Sequence, residues 1–99
     1  MMTIEKNLNG TELVMAFNGR MDTSTAPLFE AEIKSGLDGV EKLILDFENL
    51  EYVSSAGLRV ILAAQKAMNQ KGEMVIRNVS EVIAEVFEIT GFVDILTIE

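Results

Sequence analysis

The chain has no cysteine, no histidine and no tryptophan, a single proline and only eight basic residues. Without cysteine it can form no disulfide, offer no thiol nucleophile and build no thiolate metal site. Without histidine it has no Ser-His-Asp triad, no imidazole acid–base group and no ordinary zinc centre. Catalysis would fall to carboxylates, lysines or a bound metal. The eight Lys and Arg stand against 16 Asp and Glu, a net charge of −8. Nucleic acid, whose counterions must be displaced by basic patches, is a poor partner for such a chain. So is an anionic membrane surface. Long apolar runs are missing as well. The best candidate, Leu58 to Ala64, is broken by Arg59 and ends at Gln65-Lys66, far short of the ~18 residues a membrane span needs. The opening stretch Met1 to Lys6 has no apolar signal core. These absences make a soluble, cytoplasmic protein the expectation.

What is present suits a folded domain. A length of 99 residues is near the commonest for one domain, and 48% hydrophobic residues can supply a core without staples. Residues 1–99 read as a single domain with no linker, repeat or low-complexity stretch. Asn9-Gly10 lies between two strand-like runs and signals a tight hairpin, with strands over about 3–8 and 11–18. In the second run Leu13, Met15 and Phe17 share one face and Val14 and Ala16 the other. Gly19 punctuates that strand. Thr25 or Ser24 is placed to cap a helix that has Pro27 in its first turn and Ala26, Phe29, Ile33 and Leu37 on its apolar face, with Gly36 and Gly39 ending it.

Lys42 to Phe47 is a continuous apolar run of the kind that forms a central parallel strand covered on both faces. After a loop over Glu48 to Ser54, a second helix runs from about Ser55 to Gln70 with Leu58, Ile61, Leu62, Ala64 and Met68 on its apolar side. Glu73 to Arg77 is the next strand. Asn78 to Glu81 has capping-box spacing before a third helix carrying Val82, Ile83, Val86 and Phe87, stopped by Gly91. Val93 to Ile98 then supplies a last short strand or tail packing. The class is α/β: a mostly parallel sheet of four to five strands, an N-terminal antiparallel hairpin, and three or four helices. Met15, Met68 and Met74 fall at core positions as gap-fillers, whereas Met21 falls at the partner edge.

In open α/β sheets, ligands and partners meet the loops beyond the carboxyl ends of the strands. Those loops are Arg20 to Thr25, Glu48 to Ala56 and Asn78 to Ser80, expected at one edge, with Asp46 and Glu48 close by. The hydroxyls of Ser24, Thr25 and Ser80 read most simply as helix caps. Ser54-Ser55-Ala56-Gly57 differs, because one serine suffices to cap a helix. Two, followed by small residues, leave a spare hydroxyl that another protein's active site can approach. A phosphate there would meet unpaired N–H groups and the positive end of the helix dipole, and would add about −1.5 to −2 charge at one point. Simple capping is the alternative.

The stretch Leu50 to Leu62, with Val53-Ser54-Ser55-Ala56-Gly57-Leu58-Arg59 at its heart, resembles the signature of STAS domains. Gly19 to Ala26 is similar to that family's turn into its first helix, and Leu43 to Phe47 to its central strand. Gly72-Glu73-Met74 and Phe87 to Phe92 also fit, so the resemblance spans essentially the whole chain. The length points to the free-standing anti-anti-sigma factors, or anti-sigma factor antagonists. The resemblance implies a mechanism in which an anti-sigma factor that is also a serine-protein kinase phosphorylates one serine at the start of the second helix. The unphosphorylated form binds that kinase and frees the sigma factor, and a PP2C-type phosphatase resets the switch. The family's serine lies two before its glycine, which implies Ser55 as the phosphorylation site. Ser54 takes second place, and stands where the family most often has Asp. Asp22 matches the family's acidic residue of the first loop. The implied partner surface comprises Asp22, Thr23, Ser24, Ser54, Ser55, Ala56, Gly57 and Arg59 on a chain that is a monomer when free.

Other readings remain. A STAS subunit of another signalling or lipid-transport complex would share the fold. A small-ligand or nucleotide module could use helix N-termini to hold an anion, but no phosphate-binding glycine loop is present, and Arg20, Arg59 and Arg77 are the only candidate cations. An enzyme fits worst. There is no base for a serine nucleophile and no Gly-x-Ser-x-Gly elbow, and Asp46 reads as a strand-end group rather than an acid paired with Asp22. No cofactor, metal or catalytic residue is assigned.

Overall fold

Apolar residues at every second position of residues 13–17 have one stable solution, a strand with one face in a core. The computed structural model describes residues Met1–Glu99 and places this strand inside a four-stranded sheet of order β1-β2-β3-β4. The elements are β1 (Met2–Asn9), β2 (Glu12–Met21), α1 (Ala26–Gly36), β3 (Lys42–Val53), α2 (Ser55–Asn69), β4 (Glu73–Arg77) and α3 (Glu81–Thr90), followed by a 3-10 turn at Phe92–Asp94. β1 runs antiparallel to β2, while β2–β3 and β3–β4 are parallel. The expected hairpin forms, one residue out of place. Asn9 pairs with Glu12, so Gly10 and Thr11 make the turn, and Gly10 alone adopts a positive φ, +62°.

The core lies on one side of the sheet. Leu13, Met15 and Phe17 of β2, Leu43, Leu45 and Phe47 of β3, and Met74 and Ile76 of β4 join one cluster with Phe29 and Ile33 of α1, Ile61 and Met68 of α2, and Ile83 and Phe87 of α3. Phe17 is its hub, edge-on to Phe29 at 4.9 Å and to Phe47 at 5.3 Å. Met15, Met68 and Met74 are buried as expected. The continuous apolar run of β3 does not mean helices on both faces. Ile44 and Val75 point away from the cluster yet are buried. They share a row with Val14, flanked by the rows Glu12–Lys42–Glu73 and Ala16–Asp46–Arg77. The stems of those long side chains take the place of a covering helix.

β3 is twice the expected length. It continues through the stretch expected as a loop because its pairing with β2 shifts register between Ala16 and Asn18 and again between Gly19 and Arg20. The shifts break the two-residue alternation, so the inward positions become Phe47, Leu50 and Val53. At the far end, the expected last strand is reduced to a single parallel bridge between Ile98 and Ile76, with Leu96 buried. No helix is long and apolar enough to cross a membrane.

Candidate functional site

Because β2 and β3 end together, with Met21 opposite Val53, the loops that follow them are held side by side. The Ser54 amide donates to the Met21 carbonyl at 2.8 Å and fastens one loop to the other. At this edge Arg20 lies over the exposed ring of Tyr52, 4.4 Å from its centroid, a cation–π contact.

The first loop is organised by Asp22. Its Oδ1 accepts from the Ser24 amide at 3.0 Å, the Ser24 hydroxyl at 2.8 Å and the Thr25 amide at 3.1 Å. These bonds, the Ser24 hydroxyl foremost, favour the ionised form and hold the Asp22 carboxyl below the ordinary aspartate value. Thr25 stands at the N-cap position of α1, but its hydroxyl donates to the Arg20 carbonyl at 2.7 Å and accepts from the Asp22 amide instead of capping the helix. Neither Ser24 nor Thr25 is a side-chain cap, and α1 has none; the Ala26 amide donates instead to the Asp22 backbone carbonyl at 2.8 Å. Thr23 and Ser24 are exposed.

The second loop is one residue long. Ser54 is extended, φ −89° and ψ 175°, and its hydroxyl accepts from the Gly57 amide at 3.3 Å, capping α2. Ser55, the first residue of the helix, is exposed, and its hydroxyl makes no hydrogen bond within the protein. The two serines have thus divided the roles. The small residues after them divide as well. Ala56 is half-buried, but Gly57 is buried and turned inward: a Cβ there would lie 2.8 Å from Cγ and Sδ of Met21 and 3.2 Å from Cγ1 of Val53. Gly57 is small for the core and not for a visitor. Met21, expected at the partner edge, is fully buried beneath it.

Between the starts of α1 and α2 lies a shallow groove of about 150 Å³, with Thr23, Ala26, Pro27 and Glu30 on one wall and Ala56, Arg59 and Val60 on the other. The structure therefore brings together Asp22, Thr23, Ser24, Ser54, Ser55, Ala56 and Arg59. Tyr52, Pro27 and Glu30 join them unannounced. Pro27 and Glu30 follow from the helix spacing of α1, whereas Tyr52 meets Arg20 only through the shifted register.

The third loop does not belong. β4 ends at Arg77, opposite Asp46, seven residues before the end of β3, which is roughly 20 Å along the strand. Asp46 and Glu48 stay behind with it. Asp46 accepts from the Glu48 amide and from the Asn78 side chain, both at 3.0 Å. Asn78 does not cap α3, since it occupies the left-handed region at φ +59°. Ser80 is the cap and accepts from the Ile83 amide at 3.3 Å.

The sequence model of the STAS domain matches residues 3–99. BtrV of Bordetella bronchiseptica, provisionally named an anti-sigma factor antagonist, is 38% identical over 88 residues, covering 87% of this chain and 76% of its own length. The anti-sigma-B factor antagonist of Staphylococcus aureus is 36% identical over 81 residues, covering 79% and 74%. In fold, the chain is similar to the crystal structure of an anti-sigma factor antagonist from Mycobacterium paratuberculosis. The TM-score is 0.89 over 99% of this chain and 85% of that one, at 19% identity.

Proposed function

The chain belongs to the STAS domain family, and we propose that it is a cytoplasmic anti-sigma factor antagonist switched by a phosphate on Ser55. Unphosphorylated, it binds an anti-sigma factor that is also a serine-protein kinase, and so releases the sigma factor. The Ser55 Oγ attacks the γ-phosphoryl group of the kinase's ATP, ADP leaves, and the hydroxyl proton is lost. A PP2C-type phosphatase hydrolyses the ester and restores the binding form. The family resemblance and the relatives' names support the class of partner.

The observation that carries the choice of residue is the division of labour at the start of α2. The Ser54 hydroxyl is turned in to the cap, accepting from the Gly57 amide, whereas the Ser55 hydroxyl is exposed and uncommitted and so is the one a kinase reaches without disturbing the cap. A phosphate on Ser55 disturbs no internal contact. It adds about −1.5 to −2 charge to a chain already at −8, beside an ionised Asp22. A partner surface shaped around a neutral hydroxyl then faces a bulky charge that it cannot solvate. No backbone rearrangement is needed. The groove of about 150 Å³ is smaller than the roughly 300–1,000 Å³ of small-molecule sites, which favours a protein partner over a nucleotide.

Phosphopeptide mapping of the protein from its native cells, in growth and under stress, tests this reading. A phosphate on Ser55 whose occupancy changes with condition is expected. In titrations of the kinase recovered by pull-down, Ser55→Ala should bind like the unphosphorylated protein and Ser55→Asp at least tenfold more weakly. Equal affinity of the two variants would end the proposal.

A further inference from the structure

The chain has three arginines. Arg20 is spent on the ring of Tyr52, and Arg77 donates to the Glu99 carboxylate at 2.7 Å. Arg59 is exposed and makes neither an ion pair nor a hydrogen bond. It lies four residues after Ser55 on the same helix, the spacing at which Cβ atoms are about 6 Å apart. Long helical side chains lean toward the N-terminus, over the residues three and four before them. Arg59 follows that rule: it lines the groove together with Ala56, three residues before it, and Thr23. An anion N-terminal to a cation at this spacing is also the favourable order for a helix pair.

We propose that Arg59 is the built-in counter-ion of a phosphate on Ser55, so that phosphorylation removes the groove's one cation in the same event that adds negative charge. This rests on the switch at Ser55 proposed above. Without the phosphate, Arg59 stands free at the groove wall and can pair with an acidic side chain of the partner. With it, the guanidinium turns back onto the phosphate. The groove is then left with Glu30 as its only charged lining residue. A partner that presents a carboxylate to the groove loses its cation and meets a carboxylate instead.

The test uses the full chain with phosphoserine installed genetically at position 55 and follows its phosphate by phosphorus NMR against pH. An adjacent cation favours the dianion, so the second ionisation should lie below the usual value of about 6. Arg59→Gln should raise it by about 0.2–0.7 pH unit, the range for an exposed charge pair. Arg59→Lys should restore part of the difference, and Arg20→Gln should change nothing. Parent and Arg59→Gln curves that coincide would overturn the assignment, as would an equal response to Arg20→Gln, which would indicate only the general field of the protein. Because the phosphate is installed during synthesis, an unmodified Ser55 in native cells would defeat the functional reading while leaving this titration intact. Coincident curves would defeat the role of Arg59 and leave the switch standing.

Discussion

Gly57 is the residue where the signature of the second loop and the core compete most directly, and Gly57→Ala separates them. Two effects oppose each other. Inside a helix, alanine is favoured over glycine by about 1 kcal/mol. The new methyl, however, would sit 2.8 Å from Cγ and Sδ of Met21 and 3.2 Å from Val53. A thioether is flexible and on the surface would simply move, but Met21 has no exposed area and Val53 only 4%, so both are hemmed in. Overpacking of this kind costs about 1–3 kcal/mol. The overpacking term wins, and the net loss should be about 1 kcal/mol. Met21→Ala should by itself cost about 2–5 kcal/mol by opening a cavity, but it also removes the atoms in the way. In that background Gly57→Ala should recover its helical advantage and become neutral or stabilising. The coupling in the double-mutant cycle is then about 1–2 kcal/mol. Urea unfolding of the four proteins by far-UV circular dichroism reads this out, with midpoints shifting at constant slope. A midpoint that rises for Gly57→Ala in the parent, or an equal change in both backgrounds, would refute the packing explanation. It would return Gly57 to the role of leaving room for a partner.

Two further outcomes follow from the same edge. Ser54→Ala removes the α2 cap and should cost about 1 kcal/mol, whereas Ser55→Ala, at an exposed hydroxyl with no bond, should stay within about 0.5 kcal/mol of the parent; thermal unfolding of the pair checks this, and equal losses would contradict the division of labour. Asp22→Asn should destabilise the protein at neutral pH by weakening acceptance from Ser24 and Thr25. Since the native carboxyl is held below its ordinary value of 3.8, its contribution is fully present above that value and is lost as pH falls through the lowered native one. The gap between parent and Asp22→Asn should therefore be constant near neutrality and close on acidification, and a gap that widens toward low pH would reverse the assignment.

Where one physical rule governed a segment, the fold was readable from residue types alone. Leu13, Met15 and Phe17 alternate without interruption, and α1 keeps Phe29 and Ile33 on one stripe; both elements lie where periodicity puts them. The reading failed where two rules met. From Phe47 to Val53 the inward residues are spaced by three because the register shifts against β2, so the run looks like a polar loop with stray apolar residues. Asn78 to Glu81 has the text of a capping box, but the chain needs a left-handed residue directly after β4, and asparagine tolerates that conformation. The cap then passes to Ser80. The run Leu43-Ile44-Leu45 carries the mark of a strand covered on both faces because burial of Ile44 by lysine, arginine and glutamate stems leaves the same apolar pattern as burial by a helix.

The misread length of β3 also decided the composition of the site. A strand ending at Phe47 would have put Asp46, Glu48 and the β4–α3 loop beside Asp22, giving an acidic crescent built from three loops. The strand that runs to Val53 carries only Ser54 and the first turn of α2 forward to meet the Asp22 turn. What remains at the edge is narrower and less charged: one ionised carboxylate whose Oδ1 is already bonded within its own turn, one capping serine, one free serine and one free arginine. A crescent of carboxylates would repel a phosphate at every point and need no counter-ion. An edge with a single acidic side chain in its loops and an uncommitted Arg59 four residues from Ser55 can accept the phosphate locally and still change what a partner meets, because the same guanidinium that steadies the modified serine is the cation missing from the groove.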